Sequence, residues 1–222
     1  FKGDYDESYP DYLGCVENLD KNVGDVIKTL QELDMYDNTL LIYTSDHGSH
    51  FRTRNNEYKR SCHDGTIRVP MIMHGPDFKG GQKCKSLVSL IDIPKTILHF
   101  ADAEISDDLD GNPLQDAYHH PESWNNEVFI QISENSVSRA IRTNRYKYSV
   151  KAKGLRPWKE ACTIMSSDIY YDDFLYDLDK DPYEKTNLIT DASYNEIKMK
   201  LRKILKKHMK DAQEKEPLIL SE

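Results

Sequence analysis

Residues 37–48, DNTLLIYTSDHG, decide how this sequence is read. Asp37-Asn38 carries turn chemistry. Residues 39–44, TLLIYT, are an unbroken run of strand formers without polar alternation, the pattern of a strand buried on both faces. A polar cluster, SDHGSH at 45–50, follows at once. In open α/β sheets, ligand groups collect beyond the carboxyl ends of parallel strands. The sequence therefore points at 45–50 as a candidate site.

Upstream, apolar residues recur at Tyr9, Tyr12, Val16, Leu19, Val23, Ile27, Leu30 and Leu33. Steps of three and four predict one long helix over 9–34. Downstream, FRTRNNEYKRSCHDG is too polar for a core element and reads as a loop. TIRVPMIM, 66–73, predicts the next strand, with Pro70 marking an edge, a bulge or the strand's start. A short strand or turn near 86 leads into a helix around 91–100. Residues 102–126 are acidic and turn-rich, with Gly111, Pro113 and Pro121, and form the best candidate boundary. We divide the chain into 1–110 and 111–222.

Beyond the boundary the pattern shortens. Strand-like runs fall at 127–133, 138–143, 146–150 and 174–178. No long helix separates the first three, which predicts antiparallel pairing. The last segment is helical, with Ile197, Leu201, Ile204, Leu205 and Met209 on one stripe. Such a basic amphipathic helix also suits calmodulin or a membrane surface. Packing on the small sheet, with lysines in solvent, is the commoner use.

The bulk numbers bound the function. The 222 residues are 38% hydrophobic and 31% charged, enough for a core under a polar surface. A net charge of −8 argues against a nucleic-acid partner, which wants a basic face. No apolar run approaches the roughly 20 residues that span a bilayer. The start, FKGDYDESYP, lacks Met and has neither the basic start nor the apolar stretch of a signal peptide. It reads as a cut inside a longer protein, or as the loop left by processing, so no compartment is assigned. Cys15, Cys62, Cys84 and Cys162 form no CxxC pair, which disfavours a zinc ribbon. Free thiols, some of them buried, are the plain expectation.

The chemistry-bearing residues cluster between 45 and 70. Asp46 and His47, at a strand terminus, can offer one oxygen and one imidazole nitrogen to a metal. Calcium or magnesium needs about six ligands or more, so two cannot complete a shell. Gly48 permits close backbone approach. Taken alone, the same turn also reads as a capped turn with polar surface. In KRSCHDGTIRVP, 59–70, Lys59, Arg60 and His63 suit a tetrahedral anion whose charge grows on the leaving oxygen. Arg52 and Arg54 extend that basic patch, since Arg matches oxyanion geometry bidentately. A solvated basic loop is the competing reading. There is no GxSxG elbow, P-loop or HExxH. No Cys or Ser is followed by Pro-x-Arg.

In order, these segments resemble a known family. YLGCVENLDKNVGDVI, DNTLLIYTSDHG, KRSCHDGTIRVPMIMHGP, RAIRTNRYKYSV and FLYDLDKDPYEKTNL look like the second half of a type I sulfatase, within the alkaline phosphatase superfamily. The resemblance runs from about Tyr9 to Leu188. It implies an α/β fold: part of a mixed sheet sandwiched by helices, then a small antiparallel α+β carboxy-terminal subdomain. It implies that Asp46 and His47 supply half of a calcium or magnesium site. Lys59 takes the place of the lysine that contacts sulfate. His63 stands where the family has Tyr or Phe, and Asp64 where it has Glu. The expected catalytic residues are Lys59 and His63, with Arg52 and Arg54 beside them for substrate. The resemblance further implies a formylglycine nucleophile, from a C/S-x-P/A-x-R motif placed before the opening helix, together with the other metal pair.

The expected function is thus sulfuric ester hydrolysis of a sulfated small molecule or glycan, with this stretch inactive by itself. A phosphoester or phosphonate hydrolase of the same superfamily shares the tetrahedral chemistry. A non-catalytic binding module is the reading from another class. A strand like TLLIYT needs neighbours, so the sequence predicts exposed edge and apolar surface. Association with an amino-terminal half, or with another copy, follows as an expectation. No nucleic acid or membrane is expected as a partner.

Overall fold

The computed structural model describes residues 5–221 and divides the chain into two compact units. The first takes residues up to Tyr58 together with Arg68–Asn125; the second takes Lys59–Ile67 with everything from Asn126 onward.

The first unit opens with helix α1 (Tyr5–Glu32). It stops two residues before the predicted end. Asp34 turns left-handed at φ 56°, and the Met35 N–H reaches back to Leu30 O at 2.8 Å while the Asp34 N–H reaches Gln31 O at 3.1 Å. This paired arrangement satisfies the last carbonyls and ends the helix. Tyr12, Leu13, Val16, Leu19 and Val26 stand exposed along it, and Leu33 just past its end. Strand β1 (Leu41–Thr44) follows; after α2 (Asp64–Ile67), a single turn in the second unit, comes β2 (Met71–His74). β1 and β2 pair antiparallel, Leu41 opposite His74 and Thr44 opposite Met71.

Two expectations change here. All four β1 residues are only half-buried, and the one strand beside β1 among the described residues is antiparallel, so cover on both faces is not what this chain provides. The strand expected from residue 66 begins at Met71, because Pro70 has no N–H for a ladder and the amides of Thr66 and Ile67 donate instead to His63 O.

Helices α3 (Ile93–Phe100) and α4 (Leu114–His119) complete the unit. Buried Asp92 accepts the Ser89 amide at 2.7 Å and the Asn112 amide at 2.9 Å. Thr96 Oγ1 accepts the Leu114 amide at 2.9 Å. Gly111, at φ 80°, passes so close to Ile91 that a Cβ would lie 2.4 Å from its carbonyl oxygen, so only glycine fits. The acidic stretch where a boundary is expected thus stays tied to the first unit as far as Trp124, whose indole N–H donates to Leu87 O at 2.7 Å.

The second unit is a five-stranded sheet in sequence order: β3 (Glu127–Ile132), β4 (Ser138–Thr143), β5 (Tyr146–Lys151), β6 (Ile169–Asp177) and β7 (Leu218–Leu220). The first four pair antiparallel, the first three of them as their spacing predicts. β7 lies parallel to β6, which makes the sheet mixed. Three residues pairing with a partner nearly fifty positions away leave no local signal. A single-turn helix, α5 (Glu160–Thr163), sits in the β5–β6 connection.

Alternation sorts the sheet's side chains to two faces. Ile141, Tyr148, Val150 and Leu175 pack against Leu201, Leu205 and Met209 of helix α6 (Asn195–Asp211). Ile130, Ala140, Phe174 and Tyr176 face the other way, onto Cys62 and Ile67. The terminal helix therefore covers one face, and the segment 59–67 covers the opposite one.

Asp177, fully buried on β6, accepts from Arg145 Nε at 2.9 Å and Nη2 at 2.8 Å. The guanidinium holds this carboxyl below its ordinary value of 3.8, helped by Lys180. A carboxylate depressed in the folded state stabilises the fold above its unfolded pKa, and that contribution is lost as the pH falls. The fall in unfolding free energy below about pH 3.8 should be shallower in Asp177→Asn than in the parent. Identical acid limbs in urea titrations of the two proteins would rule out this role.

Candidate functional site

In the first unit, β1 ends directly in the turn Ser45-Asp46-His47-Gly48. The Asp46 carboxylate accepts the His47 amide at 2.9 Å, and the Ser45 hydroxyl donates to His47 O at 3.0 Å. The His47 amide is the main reason the Asp46 carboxyl lies below its ordinary range. His47 Nδ1 lies 2.9 Å from Gly48 O, a contact in which the ring nitrogen is the donor. Its Nε2 is 3.3 Å from Asp46 Oδ2. The Asp46 side chain is 81% exposed.

This pair passes a simple geometric test for a divalent cation. Ligands at 2.3–2.6 Å from a metal and at right angles lie roughly 3.3–3.7 Å apart. Asp46 and His47 therefore fit two adjacent positions of a shell. They do not fill one: among the described residues no three His, Cys, Asp or Glu side chains group to hold an ion.

The loop after the turn is folded back on itself. The His50 amide donates to Tyr58 O at 2.8 Å, and the Thr53 amide to His50 O at 2.9 Å. Phe51 and Arg52 take left-handed φ values of 48° and 57°. The Phe51 ring meets Tyr9 and Tyr12 of α1, each at 5.9 Å between centroids. Arg52 is exposed and Arg54 half-buried on this loop. The Tyr58 ring lies 6.0 Å from that of His47, a neighbour the sequence reading missed because nothing in NNEYK marks it.

Lys59 and His63 belong to the second unit. Lys59 is half-buried at the start of the segment covering the sheet. His63 Nδ1 is 2.6 Å from Ser61 Oγ and Nε2 is 3.2 Å from Tyr176 OH. Its ring packs on Phe174 at 4.6 Å. Each nitrogen faces a hydroxyl, and the half-buried ring lies against aromatic neighbours, an arrangement that helps hold the segment on the sheet. Sequence reasoning also missed Lys147 and Glu184, which are fully buried ionic side chains beneath the same segment. Their only signal is charge at positions whose strand or loop neighbours are apolar.

The spacing Ser-x-Ala-x-Arg does occur at Ser138-Arg139-Ala140-Ile141-Arg142, a match that a search for Pro-x-Arg passes by. Ser138 lies in β4, 4% exposed, with Oγ 2.9 Å from Ser136 Oγ, and Arg139 is committed to Glu214 at 2.6 Å. A hydroxyl so enclosed is not presented to a substrate.

All four thiols are free. Burial pushes the Cys62 thiol up to about 12, while Cys15, Cys84 and Cys162 are exposed. Alkylation follows the thiolate. Iodoacetamide at neutral pH should label those three in the native chain and spare Cys62 until denaturant is added. Rapid native labelling of Cys62 would contradict the packing described.

Comparison with known proteins gives a consistent answer. The family model described as Sulfatase matches residues 1–103, and the model described as N-sulphoglucosamine sulphohydrolase, C-terminal, matches 56–211. Arylsulfatase K of Canis lupus familiaris is 31% identical over 209 residues, covering 87% of this chain and 36% of that protein. N-acetylglucosamine-6-O-sulfatase of Bacteroides thetaiotaomicron is 25% identical over 224 residues, covering 96% of this chain and 38% of that protein. The chain thus spans rather more than a third of these curated relatives. Among solved structures, BT4656 in complex with its substrate D-glucosamine-2-N,6-O-disulfate shares the fold at a TM-score of 0.80 and 24% identity, over 93% of this chain and 41% of that one.

Proposed function

This chain belongs to the sulfatase family, and from that premise we propose that the full-length protein is a sulfuric ester hydrolase acting on sulfated glycans. The carrying observation is that two family models, placed end over end, account for residues 1–211. The glycan class draws support from the relative named for N-acetylglucosamine-6-O-sulfate chemistry and from the fold neighbour holding a disulfated glucosamine.

In this reading Asp46 and His47 hold two positions of a calcium or magnesium shell, the Asp as hard oxygen donor and the His through Nε2. A divalent cation there supplies Lewis-acid polarisation of sulfate oxygens. The Lys59 ammonium contacts the sulfate and offsets the charge that grows as the ester bond breaks. Arg52 and Arg54 bind further anionic groups of the substrate, for which their planar forks suit sulfate oxygens. His63, packed between hydroxyls and aromatic rings, positions Lys59's segment. A formylglycine nucleophile, as the family implies, is part of the same proposal.

The deciding experiment is turnover of a chromogenic aryl sulfate by the full-length protein, beside the matching aryl phosphonate monoester. Preference for the sulfate by at least about a hundredfold in kcat/KM, roughly 2.7 kcal/mol at the transition state, is the expected result. Preference for the phosphonate would transfer the assignment to the sister hydrolases.

A further inference from the structure

The segment that carries Lys59 is fastened to the small sheet by charges buried beneath it. Lys147 sits on β5, on the face away from α6, with its side chain fully buried. Its ammonium meets two carboxylates, Asp64 from the segment and Glu184 from the loop after β6. Glu184 is itself 2% exposed, and its second oxygen accepts the Asp64 amide at 2.8 Å. Arg142 Nε approaches Asp64 at 3.9 Å, so two cations face two carboxylates. At the segment's other end, Arg60 donates to Glu134 at 2.5 Å and lies 4.3 Å over the Trp158 ring.

A buried ion pair is an expensive way to attach a loop. Desolvation offsets much of the attraction, and a packed apolar side chain commonly stabilises as well or better. What the ionic arrangement adds is direction. Apolar contact between Ile67 and the sheet tolerates sliding; an ammonium shared by two carboxylates, one of which also takes a backbone N–H, admits one register. Side chains within a few residues inherit that register.

We propose that Lys147 is a positioning residue for sulfate binding: through Asp64 and Glu184 it sets the register of 59–67 and hence the place of the Lys59 ammonium. This rests on the reading that Lys59 contacts the sulfate.

The test uses the full-length protein and an aryl sulfate. Lys147→Met/Glu184→Gln removes one positive and one negative charge together, leaving Asp64 facing Arg142 without a stranded ion. Misplacement by an ångström can cost up to about a hundredfold; a tenfold or larger loss of kcat/KM is expected, carried mostly by KM. The same pair of changes in a Lys59→Ala background should add less than about twofold, because a residue acting through Lys59 has nothing left to position. Equal losses with and without Lys59 would overturn the proposal, as would full activity. If Lys59→Ala alone leaves kcat/KM unchanged, the sulfate reading of Lys59 has failed and the positioning role falls with it. If no variant turns over because the protein unfolds, Glu184→Gln alone, which keeps an acceptor for the Asp64 amide, gives the milder version. Amide hydrogen exchange at 63–67 should then quicken at least about tenfold, while exchange in β5 stays unchanged; exchange that rises equally in both would reduce Lys147 to a general stabiliser.

Discussion

In Asp46→Ala, kcat/KM for an aryl sulfate is expected to fall about a thousandfold with the thermal midpoint unchanged. The two halves of that statement come from different features. The Asp46 carboxylate is 81% exposed, and the bonds described for it stay within its own turn, so its loss removes little from the fold. Its outward oxygen stands 3.3 Å from His47 Nε2, a spacing suited to one ion held by both. A Lewis acid contributes several kcal/mol to stabilising transferring oxyanions, and about 1.4 kcal/mol is tenfold in rate. Calcium or magnesium retained after dialysis should drop from near one equivalent to far less in the same variant. A loss under tenfold, or a midpoint that falls in step with activity, would show that Asp46 merely caps its turn.

Leu205→Ala should produce the largest loss of stability among single changes in the helix–sheet core. Leu205 is fully buried at the centre of α6, in the cluster of Ile141, Tyr148, Val150 and Leu175. Truncation of such a leucine costs about 2–5 kcal/mol, from lost transfer energy and the cavity left behind. For a protein of this size each kcal/mol lowers the midpoint by roughly 2–4 °C, so a fall on the order of 10 °C is expected by calorimetry. Lys203→Ala, on the exposed side of the same helix, is the control and should move it by less than about 2 °C. A comparable shift in both would mean that α6 is not docked as described.

Much of this fold is legible because periodicity reports burial. The stripe of Leu201, Leu205 and Met209 faces the sheet, and the short alternating runs from 127 to 151 pair antiparallel as read. The candidate pair Asp46–His47 is marked by its place after an apolar run, and the structure puts it directly at the end of β1. Failures of the reading share a cause: they depend on residues far apart in sequence. β7 exists because 169–171 offers an edge to 218–220. The apolar look of 66–69 is real, but Ile67 spends it on a sheet face formed sixty residues later, so no strand begins there. Lys147 looks like any surface lysine of an alternating strand until Asp64 and Glu184 are seen beneath it. Nor does its type show that the His63 ring packs among Phe174 and Tyr176 from a strand more than a hundred residues on.

The cover that 59–67 gives the sheet also sets a timetable for synthesis. Asp64 and Glu184 are 120 residues apart, so one leaves the ribosome long before the other exists. At about 5–20 residues per second, the earlier strand of contacts waits roughly 6–24 s for its partner. For most of that interval Cys62 and Ile67 lack a complete sheet to lie on, and the buried ammonium of Lys147, once made, has at first only Asp64 to meet. The segment thus completes its contacts long after it emerges, and a chaperone that shields short apolar stretches would find a client here.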